Sequence, residues 1–132
     1  MTRQVAGRAH ERLDDVTLLN RAEGLVRRGW CRKGLAQDRN GRQVEPWSAS
    51  ARSWSPLGAL LRVWYERSRG DSSDAFRVAY TALALATGGR LEEWNAAPWR
   101  TKRHALDAFT HARDYLPMAW RQVRDSEDRR PL

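Results

Sequence analysis

The chain is 132 residues long, 41% hydrophobic and 30% charged, with 24 Lys and Arg against 16 Asp and Glu and a formal net charge of +8. One domain of this length buries roughly two thirds of its unfolded surface, and seven Trp, three Tyr and two Phe supply material for a core, which excludes global disorder. The longest purely apolar run, Ala82 to Ala86, is far short of the roughly 20 residues of a membrane-spanning helix, and Cys31 stands alone, which excludes an intramolecular disulfide or a cysteine-based zinc site.

No hydrophobic signal region is evident, so the expected setting is cytoplasmic, with no membrane partner. Of the 24 basic residues 22 are Arg, a skew that GC-rich codon usage writes into proteins of every kind. The net excess over acidic residues is more informative, because it draws phosphate-bearing partners by steering and counterion release. That excess is uneven: residues 27–52 hold Arg27, Arg28, Arg32, Lys33, Arg39, Arg42 and Arg52 against Asp38 and Glu45.

Residues 1–13 read as a polar lead-in, 14–124 as a single helical domain and 125–132 as a disordered tail. After Asp14, the residues Leu18, Leu19, Ala22, Leu25 and Val26 fall in one arc at helical spacing. Asp14 and Asp15 suit the N-terminal end of that helix, Arg27 and Arg28 its last turn, and Gly29 its stop. Between Lys33 and Val44 the pair Asn40-Gly41 predicts a β-hairpin with a type I′ turn, the fallback being an irregular loop, and Glu45 to Ser53 is a connector.

Ser55 as N-cap and Pro56 at the first helical position open the second helix. Its inner stripe is Leu57, Leu60, Leu61 and Trp64, with Gly58 as a point of close helix packing. The third helix, Asp74 to Thr87, is apolar on most sides, with Phe76, Ala79, Leu83 and Ala86 on one and Val78 and Leu85 on another, which marks it as central. Gly88-Gly89 ends it. Leu91 to Asn95 makes one helical turn, Pro98 breaks it, and Thr101 caps a helix to about Leu116 whose apolar arc is Ala105, Ala108, Phe109, Ala112 and Leu116. Pro117 marks a boundary before a last short helix, Met118 to Arg124. The expected fold is mainly α, a compact bundle of four or five helices around a Trp-rich core with a small β-hairpin or loop near residues 33–44.

The ordered segments Gly29-Trp30-Cys31, Asp38-Arg39-Asn40-Gly41-Arg42, Trp54-Ser55-Pro56-Leu57-Gly58-Ala59-Leu60 and Trp94-Asn95-Ala96-Ala97-Pro98-Trp99-Arg100-Thr101 resemble a family of small, largely helical proteins of unknown function from actinobacteria and their phages. The resemblance runs from Leu13 to Leu116 and implies a helical domain without implying an activity. In that family's pattern a second cysteine and an aspartate stand where this chain has Ser55 and Ala96, a departure that favours binding over catalysis.

Four groups of residues are candidates for function. Cys31 lies among Arg27, Arg28, Arg32 and Lys33, cations that lower a thiol's pKa, but also beyond a helix C-terminus, which raises it. With no histidine near it in sequence, a buried structural cysteine is the favoured reading. His104, Asp107 and His111 share one side of a helix, a spacing open to a divalent metal but equally that of a solvated polar face. No metal-binding motif accompanies them, so no metal and no cofactor is expected.

Trp30, Cys31, Trp54, Trp94, Asn95, Trp99 and Arg100 either converge on a pocket for a small aromatic ligand or plug the seam between helices. Trp30, Trp47 and Trp54 interleave with the basic cluster, the combination by which single-stranded nucleic acid is held through stacking and phosphate neutralisation. No phosphate-cradling glycine motif and no catalytic triad is present. The leading expectation is therefore a non-enzymatic binding module in which Arg27, Arg28, Arg32, Lys33, Arg39 and Arg42 meet nucleic acid or another anionic macromolecule. The alternative is a resistance or tailoring protein that binds an aromatic metabolite, and a protein-binding role is the third.

Overall fold

Asp14 starts the first helix. Its carboxylate accepts the Thr17 backbone N–H at 2.8 Å, and that bond holds its carboxyl below the ordinary value. The computed structural model describes residues 14–68 and 74–128; the polar lead-in, the turn at 69–73 and the last four residues of the expected tail lie outside the described residues. In chain order the elements are α1 (Asp15–Arg28), β1 (Ala36–Gln37), β2 (Ser53–Trp54), α2 (Pro56–Ser68), α3 (Asp74–Ala86), α4 (Leu91–Ala96), α5 (Lys102–Asp114) and α6 (Leu116–Asp128). The protein is mainly α with a small hairpin, as its periodicity predicts.

The apolar arcs of α1 and α5 are buried as expected: Leu18, Leu19, Ala22, Leu25 and Val26 from α1, and Ala105, Ala108, Phe109 and Ala112 from α5. Helix α3 packs against α1, α2, α5 and α6, which explains its apolar circumference. Arg113 of α5 ties back to α1, donating to Asn20 Oδ1 at 2.6 Å through Nη2 and pairing with Glu23. Trp120 of α6 donates to Asp15 Oδ2 at 2.8 Å.

In several places tertiary structure redirects the local pattern. The buried line of α2 is Pro56, Ala59, Leu60 and Val63, while Leu57, Leu61 and Trp64 are half-buried, because the helix wedges between α1 and the loop segments. Gly58 does permit a close approach, but of the Leu35 backbone and not of a helix: a Cβ there would sit 1.8 Å from the Leu35 carbonyl oxygen. Gly29 ends α1 in extended conformation (φ −165, ψ 121), where a left-handed stop is the usual expectation. A Cβ on it would lie 2.2 Å from Arg52 O, so space, not torsion, demands the glycine. The last helix continues through Asp128, so residues 125–128 are helical where a disordered tail is expected; Pro117 sits in its first turn, where a missing N–H costs nothing.

The hairpin forms, with a different turn. Gly41 N–H donates to Asp38 O at 3.0 Å and Asp38 N–H to Arg42 O at 2.9 Å, so Arg39 and Asn40 are the central residues and Gly41 follows them at φ 81. This is the three-residue loop that ends in a left-handed glycine, not the two-residue type I′ turn. Gln37 bridges Gln43 across the hairpin, β1 pairs antiparallel with β2 through Ala36 with Trp54 and Gln37 with Ser53, and Trp30 bridges Trp54 in parallel. Four short segments thus cover one end of the bundle and carry the loops described next.

Candidate functional site

Asn95, on the single-turn helix α4, is buried (2% exposed). Its Oδ1 accepts the Trp30 indole N–H at 2.8 Å, and its Nδ2 donates to the carbonyls of Cys31 and Arg32, both at 3.0 Å. The indole can only donate and the carbonyls can only accept, so the amide has one sensible orientation and both its donors are spent. Arg100 closes the outer side: its Nε donates to Trp94 O at 2.7 Å and its guanidinium lies 3.9 Å from the Trp94 ring centre. Arg32 reaches across to Arg100 O at 3.3 Å and lies over Trp30 at 5.6 Å.

Most of the expected pocket residues therefore come together, but they close on one another. The cavity beside Asn95 measures about 60 Å³ and is lined by Arg32, Gly34, Ser55, Pro56, Leu57, Leu91, Glu92, Asn95 and Ala96. Ligand pockets run from about 300 Å³ upward, so an aromatic metabolite has no room there. Trp30, Cys31, Trp54, Trp94, Trp99 and Arg100 do not line it. Trp54 is buried and donates to Pro46 O at 3.0 Å, whereas Trp99 is 70% exposed. Ser55 and Ala96 both border this cavity. Ser55 Oγ caps α2 by accepting Gly58 N–H at 3.0 Å.

Cys31 is buried, and burial pushes its thiol up, with the Ser53 side chain and the Ser55 backbone opposing that shift. A buried thiol held protonated is a poor nucleophile, in keeping with a structural role. His104 is used by the fold: Thr101 Oγ1 accepts His104 N–H at 3.3 Å while His104 Nδ1 accepts Thr101 N–H at 3.1 Å, a reciprocal cap on α5. Among the described residues no three His, Cys, Asp or Glu side chains are grouped to hold a metal ion.

The basic cluster divides. Arg32 is half-buried, with Nη2 donating to Arg100 O at 3.3 Å and its guanidinium over Trp30, so it is less free than the exposed cations. Arg27 pairs with Glu23 at 2.9 Å. Arg28 lines a groove between α1 and α2 together with Arg21 and Arg67. Lys33, Arg39 and Arg42 are exposed around the hairpin. Asp38 is the acidic residue nearest Lys33 and Arg39 in sequence and the exposed Glu45 the one nearest Arg42; Asp38 Oδ1 accepts the backbone N–H groups of Asn40 and Arg42 at 2.8 and 2.9 Å.

Two features escape the reading of the sequence. Trp47, 41% exposed, stacks on Tyr65, 48% exposed, with ring centres 4.9 Å apart and planes 24° apart. Arg62 braces the loop beneath them through Pro46 O at 3.1 Å and Ser48 O at 3.4 Å. Nothing local announces this pairing, since the two rings are 18 positions apart. The groove arginines did leave a signal, the helical spacing of Arg21, Gly24, Leu25 and Arg28.

No curated protein and no solved structure matches the chain. Residues 9–115 match a family of unknown function, DUF6197. That match covers the hairpin, the Asn95 closure and every helix through α5, and the chain accordingly belongs to the DUF6197 family.

Proposed function

We propose that the protein is a non-enzymatic, cytoplasmic module that binds single-stranded nucleic acid through the hairpin end of the bundle. The observation that carries this reading is the charge around the hairpin, with Lys33 before its first strand and Arg39 and Arg42 at its turn. Lys33, Arg39 and Arg42 are exposed there and, among the described residues, form no ion pair, while the Asp38 carboxylate is tied to the turn backbone. Cations held apart from counter-charges lose little when a phosphate replaces water and salt ions. The Trp47–Tyr65 stack adds an exposed aromatic surface three residues beyond the hairpin's second arm, of the kind on which bases stack for about 1–3 kcal/mol each. Arg52 joins the same end, since its N–H donates to Gln37 O at 2.8 Å.

The test is the salt dependence of binding to a labelled single-stranded oligonucleotide, read by fluorescence anisotropy. Each phosphate contact contributes about −0.7 to the slope of log K against log salt for a single strand. Replacing Lys33, Arg39 and Arg42 together by Ala should shallow that slope by about 2 and weaken binding across sequences alike. No binding at low salt, or binding indifferent to salt, overturns the reading.

A further inference from the structure

The groove between α1 and α2 shares no residue with the hairpin face. Arg21, Gly24, Leu25 and Arg28 line it from α1, and Val63, Glu66 and Arg67 from α2, around a volume of about 430 Å³, within the range of small-molecule sites at about 300–1,000 Å³. The edges of Leu25 and Val63, 8% and 4% exposed, are the apolar part of its floor. Its rim is cationic. Glu66 is the one carboxylate among the lining residues, and it is already engaged by Arg62 Nε at 2.7 Å. Arg21, Arg28 and Arg67 form no ion pair among the described residues.

A solvated arginine face needs no ligand, but two details set this one apart. Three exposed cations that form no ion pair among the described residues line one groove, and an anion among them would relieve the repulsion between them. Gly24 occupies the middle of α1, where glycine is among the poorest residues for helix stability, yet a Cβ there would meet nothing within 4 Å. Internal packing does not require the glycine, and Gly24 lines the groove with no side chain to occupy it.

We propose that this groove binds a nucleotide-sized phosphate ester, with Arg21, Arg28 and Arg67 on the phosphates and the organic body laid over Gly24, Leu25 and Val63. Guanidinium forks match phosphate oxygens two at a time, and the apolar floor distinguishes an ester with an organic body from inorganic phosphate. The inference is independent of the hairpin reading.

Isothermal titration of the full chain with a nucleoside triphosphate tests it, with inorganic triphosphate and a single-stranded oligonucleotide as parallel ligands. Gly24→Leu keeps every charge and fills the floor, so it should weaken nucleoside triphosphate binding at least ten-fold while leaving inorganic triphosphate binding little changed. Arg21→Gln with Arg67→Gln, both at the surface and independent of the glycine, should weaken both phosphate ligands. Replacing Lys33, Arg39 and Arg42 by Ala should leave the nucleotide arm unchanged. The proposal is overturned if the nucleoside triphosphate does not bind, or if neither groove variant alters its affinity, or if inorganic triphosphate binds equally well. Oligonucleotide binding lost only in the hairpin variant would support two separate sites, and oligonucleotide binding absent beside intact nucleotide binding would overturn the hairpin reading alone.

Discussion

Within the segment from Trp30 to Arg42, the two ends treat their polar groups in opposite ways. At Trp30, indole, amide and two carbonyls close on one another around Asn95, so the indole and amide donors have internal partners, while the buried Nε of Arg32 beside them has none. At the hairpin tip, the acidic side chain turns onto the backbone and the cations are left facing water. The first arrangement holds helices together and leaves no ligand-sized cavity, and the second holds a shape while leaving charge available. Residues that look equally suited to a site, Arg32 and Arg39 for instance, are thereby separated by what is already bonded to them.

The contrast can be broken most severely at Asn95. Asn95→Ala strands the Trp30 N–H and the carbonyls of Cys31 and Arg32, and at about 1–3 kcal/mol for each unsatisfied buried group a loss near 3 kcal/mol is expected in urea denaturation. A loss below about 1 kcal/mol would mean that water reaches the cluster and that it is not the closed unit described. Gly58→Ala comes next. Its Cβ would meet the Leu35 carbonyl at 1.8 Å, and a net cost of about 2 kcal/mol is expected from overpacking, despite alanine's better helix propensity.

Gly24→Ala has the opposite sign, a gain of about 1 kcal/mol in thermal or chemical unfolding, because nothing stands where the methyl would go. The two helical glycines thus separate a position that packing demands from one that it does not. The smallest stability effect belongs to the hairpin: Ala at Lys33, Arg39 and Arg42 should each change stability by no more than about 0.5 kcal/mol, while binding to a polyanion falls. A large destabilisation by any of the three would show that the exposed cations are fastened to the fold after all.

Helix positions were largely legible because their causes are local. Asp14 and Thr101 cap, Ser55-Pro56 opens a helix, and apolar spacing marks α1 and α5, each within a few residues of the feature it controls. The turn at Asn40-Gly41 was legible as a turn but not in its type, since Asp38, which accepts two of its N–H groups, decided which residues became central. The site was less legible. Trp30 and Asn95 are 65 positions apart, and neither residue's neighbours specify whether an indole and an amide will face a cavity or each other.

By itself the sequence determined a helical domain, its caps and breaks, its uneven positive charge, and a lone cysteine suited to burial, because propensity, periodicity and composition act over short distances. Tertiary structure alone decided that Asn95 would be spent on internal bonds, that Arg32 would lie half-buried over Trp30, that Trp47 would meet Tyr65, and that Arg21, Arg28 and Arg67 would share a groove. Those outcomes depend on which faces meet when α1, α2 and α4 pack, and a side chain's freedom to bind anything else is what remains after its neighbours in space have been satisfied.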